Sequence, residues 1–204
     1  MSVEESEIKI IEKPDSIPWD RLHEVLWAAH EQNRKEGMVM KTSLLSGAEL
    51  RDRISKNAIS WKTYVILDGN NIAGTGSISI RNKKAWYVDG KVAYFLCDGI
   101  VPDYAGKGLY KMLTGVREEY GKSEGCKLIY FDTAENNRKQ LETYRRHGFR
   151  CVDFFASKSK HYSVVMAKWY DDCPFSEFYC RLRFLLKKVY VKCLYKPGKV
   201  RRLW

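Results

Sequence analysis

Val92-Ala93-Tyr94-Phe95-Leu96-Cys97-Asp98-Gly99-Ile100-Val101-Pro102-Asp103-Tyr104-Ala105-Gly106-Lys107-Gly108-Leu109-Tyr110 is the stretch whose reading decides the fold. Val92–Val101 is rich in β-branched and aromatic residues and reads as a strand. Pro102 stops it, Ala105-Gly106-Lys107-Gly108 makes a tight loop, and a helix follows over Leu109–Ser123. Leu109, Met112, Leu113 and Val116 fall at helical spacing and predict its buried stripe. Gly125 ends the helix, and Lys127–Thr133 is the next strand. A strand–helix–strand order implies a parallel pair with a crossover helix.

The same reading extends in both directions. Upstream, Ile8–Lys13 is a short strand ended by Pro14, and Asp15 or Ser16 can cap a helix striped by Leu22, Val25, Leu26 and Ala29. Ser46 and Glu49 have capping-box spacing, with Leu50 and Ile54 on one helical face. Trp61–Leu67 and Ile72–Ile80, joined by Asp68-Gly69-Asn70-Asn71, read as a hairpin, and Asp89-Gly90 as a further turn. Downstream come a helix over Asn137–His147, stopped by Gly148, and strands near Cys151–Phe155 and Tyr162–Trp169. The fold class is a mixed α/β, or α+β, domain over residues 1–174 with a central sheet flanked by helices, and residues 175–204 form a separate tail.

Composition bounds the function. The chain has 204 residues, enough for one sizeable core, and 45% hydrophobic residues exclude a disordered chain. No window approaches the roughly 18 consecutive apolar residues of a membrane span. The acidic start, MSVEESEIKIIEKPDS, does not resemble a secretion signal, so a cytoplasmic protein is expected, with its six cysteines reduced. No C-x-x-C pair occurs, and the four histidines show no ligand spacing, so the sequence points to no metal. The net charge of +11 would suit nucleic acid, but +8 of it lies in residues 175–204. The remaining +3 and the absence of a recognisable nucleic-acid motif argue against that partner.

A glycine turn that opens a helix leaves backbone N–H groups without intrahelical partners at the positive end of the dipole, a setting that suits phosphate. The loop is neither a Walker P-loop nor a dinucleotide fingerprint. Ile100 to Tyr110, an amphipathic helix, a strand, Asn137 and then Tyr144-Arg145-Arg146-His147-Gly148-Phe149 together resemble the GNAT superfamily of acyl-CoA-dependent N-acetyltransferases. The likeness covers about residues 8–169 in element order and 92–149 in motifs. Two positions depart from the family's Q/R-x-x-G-x-G/A loop. Ala105 stands for the Gln or Arg, and Tyr110 brings a phenol where a small residue lets CoA come close.

The resemblance implies acetyl-CoA as co-substrate and a primary amine as acceptor. It implies that Ile100 and Val101 pair with the pantetheine arm and that Gly106, Lys107, Gly108, Leu109, Tyr110 and Lys111 hold the pyrophosphate. Asn137 would bond the CoA arm, and Tyr144 would protonate the leaving thiolate. A phenol suits that task, because it still carries its proton at neutral pH; the alternative reading of Tyr144 is a core tyrosine on the last helix. For the base, strand alternation puts Tyr94, Leu96 and Asp98 on one face, with Asp98 its only carboxylate; Asp132 and Glu135 are alternatives, and so is a relayed water. Cys97 reads as a buried thiol rather than a nucleophile.

The acceptor pocket in such a fold would draw on residues 37–46, 81–84 and 154–161, with Met38, Met40, Trp86, Phe154 and Phe155 as walls and a basic rim suited to an anionic small molecule. A catalytically degenerate acyl-CoA-binding module with a scaffolding or membrane-surface role is the alternative. The tail reads as a basic amphipathic helix over Phe175–Tyr195, with Phe178, Leu182, Leu185, Val189 and Cys193 as its stripe and Phe184, Val191 and Tyr195 on its back. Packing on the body or on a second copy is favoured slightly over an anionic membrane surface, here the inner surface of the cell membrane. Beyond Pro197-Gly198 the chain ends in the basic KVRRLW.

Overall fold

The computed structural model describes residues 8–37, 41–157 and 161–196; Met38, Met40 and the terminal segment from Pro197 lie outside it. Seven strands form one sheet in the order β1-β2-β3-β4-β5-β7-β6. The chain divides into two compact units, Met1–Asn82 with Ala93–Gly125, and Lys83–Val92 with Cys126–Trp204.

The first unit holds β1 (Ile8–Glu12), α1 (Trp19–Ala29), the short α2 (Glu31–Lys35), α3 (Gly47–Ser55), β2 (Ser60–Asp68) and most of β3 (Asn71–Ala85). It also holds the second half of β4 (Val88–Ile100) and all of α4 (Leu109–Ser123). β1 and β2 pair antiparallel from Ile8↔Asp68 to Glu12↔Tyr64, and β2 pairs with β3 across a turn in which Gly69 has φ +57°. Leu26, Leu50, Ile54, Leu96 and Cys97 form one buried cluster under Trp19, Leu45, Trp61 and Tyr94. Each such aliphatic side chain removed from water contributes about 1.5–3 kcal/mol.

The second unit contains the start of β4, β5 (Leu128–Ala134), α5 (Arg138–Arg146), β6 (Arg150–Ala156), β7 (Tyr162–Trp169) and α6 (Glu177–Leu194). β7 is central here, antiparallel to β5 from Leu128↔Trp169 to Ala134↔Ser163 and to β6 from Arg150↔Ala167 to Ala156↔Tyr162. Helix α6 packs against β6.

Four expectations are corrected. Helix α1 starts at Trp19, with no side-chain cap from Asp15 or Ser16, because Pro18, extended at ψ 150°, occupies the N-cap and places both residues too far upstream. The turn between β3 and β4 falls at Trp86-Tyr87, and Asp89-Gly90 lies inside β4. Lys127 explains that placement, since its backbone N–H donates to the Lys91 carbonyl and its Nζ to the Asp89 carbonyl. In α4, Met112 is exposed while Leu109, Leu113, Thr114, Arg117 and Gly121 are buried, so the stripe is rotated toward an arginine. In α6, the expected stripe faces outward and the expected back packs inward.

The Ser46–Glu49 capping box is formed in both directions, the Ser46 hydroxyl accepting from the Glu49 N–H and the Glu49 carboxylate from the Ser46 N–H. A Ser46→Ala variant should lose about 1 kcal/mol of unfolding free energy in urea titrations.

Candidate functional site

The strand entering the glycine loop contains a backbone feature that alternation does not foresee. Cys97 has φ +55°, a left-handed conformation that costs a non-glycine residue energy and that interrupts the pleat. Leu96 and Cys97 therefore both point into the cluster beneath α1 and α3. Asp98 is displaced to the opposite face, where it joins Phe95 in contact with Arg117 of α4. The expectation that Tyr94, Leu96 and Asp98 share a face is thus corrected. Burial pushes the Cys97 thiol up to about 12, against a smaller lowering by Arg53, so it stays protonated near neutral pH.

Arg117 is fully buried, a position that an apolar helical stripe does not predict for an arginine. Its Nη1 donates to Asp98 Oδ1 at 2.5 Å and to the Ser77 carbonyl at 3.3 Å, and its Nε to the Leu113 carbonyl at 3.3 Å. The guanidinium carbon lies 4.1 Å from the centroid of the Phe95 ring. A Cβ on Gly76 would come within 2.9 Å of that guanidinium, so β3 needs glycine where Arg117 crosses it. The signal was present as Leu109, Leu113, Arg117 and Gly121, four residues apart along one helical face.

Tyr110, the residue expected to crowd CoA, donates its hydroxyl to Asp98 Oδ2 at 2.9 Å. Both carboxylate oxygens of Asp98 are thus engaged. The loop beyond is open: Gly106 and Gly108 have φ +80° and +76°, and no atom approaches within 4 Å of where their Cβ atoms would lie. The Tyr110 ring does not cover those positions. Gly108 is the N-cap of α4, no acidic residue occupies the first turn, and the Lys107 Nζ sits 4.8 Å from the Tyr104 ring. An open glycine loop at a positive helix end fits a pyrophosphate, and residues 106–111 would hold it, although the Lys111 N–H already donates to the Gly108 carbonyl at 3.0 Å.

His30, between α1 and α2, is a further buried titratable group that no motif in the sequence marks. Burial lowers its pKa, against an opposing hydrogen bond to the Asp98 backbone. Its Nδ1 lies 3.1 Å from Asn33 Nδ2, an arrangement that suits the neutral ring.

In the second unit, Asn137 caps α5: its carbonyl oxygen accepts from the Gln140 N–H, and its amide donates to Gln140 Oε1 at 2.9 Å. Tyr144 is buried between Phe131, at 3.9 Å between ring centroids, and Phe149, edge-on at 4.8 Å. Glu135 accepts from Lys188 at 2.7 Å and Lys192 at 2.9 Å. Burial raises its pKa, but the two ammonium groups outweigh that and hold it below the usual carboxylate range. Asp132 is exposed on β5. A cleft of about 420 Å³ opens beside Glu135, floored by Leu141, Val164 and Phe184 and edged by Arg138 and Arg145.

Among the expected acceptor walls, Trp86 and Phe154 are occupied. Trp86 donates to the Val152 carbonyl and packs against Phe175, Tyr179 and Arg183, while Phe154 is fully buried beside Phe184. Phe155 alone is exposed among the described walls.

A strand with an offset residue at Cys97 leads into an open glycine loop at a helix N-terminus, within a seven-stranded sheet. The sequence model of the acetyltransferase (GNAT) family matches residues 19–149, and the chain belongs to that family. It is accordingly an acyltransferase that takes its acetyl group from acetyl-CoA. Its fold is similar to that of the PaiA N-acetyltransferase from Thermoplasma acidophilum, solved in complex with coenzyme A, at 17% identity over 80% of this chain and 99% of that one, TM-score 0.62. It is also similar to Arabidopsis thaliana NAA60 in complex with a bisubstrate analogue, at 17% identity over 81% and 100%, TM-score 0.59. The ribosomal-protein-S18-alanine N-acetyltransferase from Escherichia coli aligns at 11% identity over 81% and 96%, TM-score 0.59. At these identities the likeness is one of fold. No curated protein sequence matches the chain.

Two measurements check this geometry. Asp98→Ala, which leaves the Arg117 charge buried and unpaired, should cost about 3–5 kcal/mol in chemical denaturation, and pairing it with Arg117→Met should recover much of that loss. His30 is held neutral, so protons bind first to the unfolded chain as pH falls below its unfolded pKa of about 6.5. The stability advantage of the wild type over His30→Gln should therefore shrink between about pH 7 and about pH 5, read by urea unfolding at each pH.

Proposed function

We propose that the protein transfers an acetyl group from acetyl-CoA to a primary amine of an anionic small-molecule acceptor by direct attack. The observation that carries the reading is the open glycine loop at the start of α4, with Gly106 and Gly108 in left-handed conformations. Residues 1–174 carry the reaction and 175–204 serve attachment. Residues 106–111 hold the pyrophosphate through the N–H groups of the loop before Lys111; Ile100 and Val101 pair with the pantetheine arm, and Asn137 bonds that arm while capping α5.

The chemistry follows from acyl transfer. The amine nitrogen attacks the thioester carbonyl carbon, the carbon–sulfur bond breaks, and the departing sulfur takes the phenolic proton of Tyr144. The amine's own proton leaves through water, and the Tyr144 phenolate regains a proton from solvent. Engagement of both Asp98 oxygens by Arg117 and Tyr110 supports a positioning role for this carboxylate rather than that of base. Glu135, with its pKa held down by two lysines, is a weak base. The anionic character of the acceptor is supported by Arg138 and Arg145 at the edge of the cleft beside α5. The enzyme works in the cytoplasm, with α6 as its candidate attachment to the inner membrane surface or to a second copy.

Tyr144→Phe should lower kcat by about 10²–10⁴-fold and leave the KM for acetyl-CoA within about threefold, measured by thiol release on a verified amine. Unchanged kcat would remove Tyr144 from the reaction. Calorimetric titration should detect acetyl-CoA binding; its absence at millimolar concentration would overturn the activity, and binding without turnover on any amine would leave a degenerate module.

A further inference from the structure

Helix α6 docks by the side that its sequence pattern treats as the back. Cys180 and Val191 are buried. Phe184 meets Phe154 edge-on at 6.0 Å, and the Tyr162 hydroxyl donates to the Tyr195 carbonyl at 3.0 Å. Lys188 and Lys192 close onto Glu135. Docking in this way turns Phe178, Leu182, Leu185, Leu186, Val189 and Tyr190 outward, with Phe178 at 73% exposure and Leu186 and Val189 at 63%. At about 100° per residue these side chains sweep an arc of roughly 140°. A contiguous exposed apolar surface of this kind marks an interaction site.

The borders of the arc decide what covers it. Arg181 stands exposed along one border and Lys187 along the other, while Lys192 and Arg183, on the same borders, are engaged by Glu135 and by the Trp86 ring. Residues 175–204 carry nine basic residues against one acid, Glu177. Two copies meeting through this face would bring the same basic borders together with almost no acid to compensate them, whereas interface cores are depleted in such charges. A negatively charged surface compensates both borders at once. No helix of the described residues is long and apolar enough to cross a membrane, so a bilayer contact through α6 would run along the surface.

We propose that α6 is a docking element for an anionic lipid bilayer. Its apolar arc enters the boundary between head groups and acyl chains, and its two basic borders stand at the level of the lipid phosphates. The opposite side of the helix stays fixed to β6, so the attachment is rigid with respect to the unit that carries Tyr144. The inference goes beyond acyl transfer and does not depend on it.

The test uses the full chain and sedimentation with vesicles. The protein should pellet with phosphatidylserine–phosphatidylcholine vesicles and not with phosphatidylcholine alone, and less as salt rises. A Phe178→Glu/Leu186→Glu variant should lower vesicle partition about tenfold or more, and Arg181→Gln/Lys187→Gln about tenfold. All four side chains are exposed, so the melting temperature should hold, which separates lost docking from lost folding. Failure to pellet with anionic vesicles overturns the proposal. So does equal pelleting with both vesicle types. A dimeric mass in solution that Phe178→Glu/Leu186→Glu reduces to a monomer would assign the face to a second copy and overturn it as well. Because the readout is lipid partition, this failure is distinct from failure of acetyl transfer.

Discussion

The ion pair between Arg117 and Asp98 is the constraint around which the first unit is arranged. A guanidinium with no exposure to water is tolerable only if its charge is matched, since an unpaired buried charge costs several kcal/mol. Meeting that requirement reaches into three elements. β3 gives up a side chain at Gly76, β4 departs from its pleat at Cys97 to turn Asp98 toward α4, and Tyr110 satisfies the second carboxylate oxygen. The first turn of α4, which ends the glycine loop, is thereby tied to the strand that leads into it. The position of the glycine loop is thus tied to one buried charge.

The same arrangement changes the meaning of two residues. Tyr110 looks like an obstruction when only the loop pattern is considered, yet its hydroxyl is spent on Asp98 and the faces of Gly106 and Gly108 stay open. Asp98 looks like a free carboxylate on a strand, yet its oxygens are both committed. In the second unit, Tyr144 is at once a packed aromatic between Phe131 and Phe149 and the candidate proton donor. Those roles are compatible, because close packing holds a phenol in one orientation. Asn137 combines roles in the same manner, since its cap fixes the start of α5.

Much of the fold was legible because it rests on local chemistry. The Ser46–Glu49 box, the Gly69 turn and the span of α4 each follow from residues adjacent in the chain, and each is found where expected. The misses share a cause. Met112 and Arg117 exchange places because an ion pair with a distant strand outweighs the apolar preference of that face. Trp86 and Phe154, read as pocket walls, are covered by Tyr179 and Phe184 of a helix far along the chain from either of them, a pairing no local pattern encodes.

The sequence alone determined the class of fold, the position of the glycine loop and the residues of the acetyltransferase motif, because strand and helix periods and turn residues act over a few positions. Tertiary structure decided which side of an element faces what. One residue in a left-handed conformation at Cys97 moves Asp98 to the other face of its strand. In α6, two apolar faces compete, and packing on β6 selects the one with Cys180, Phe184 and Val191, leaving the longer stripe outside. Periodicity fixes that a face is apolar; only the shape and charge of the partner fix which apolar face is buried.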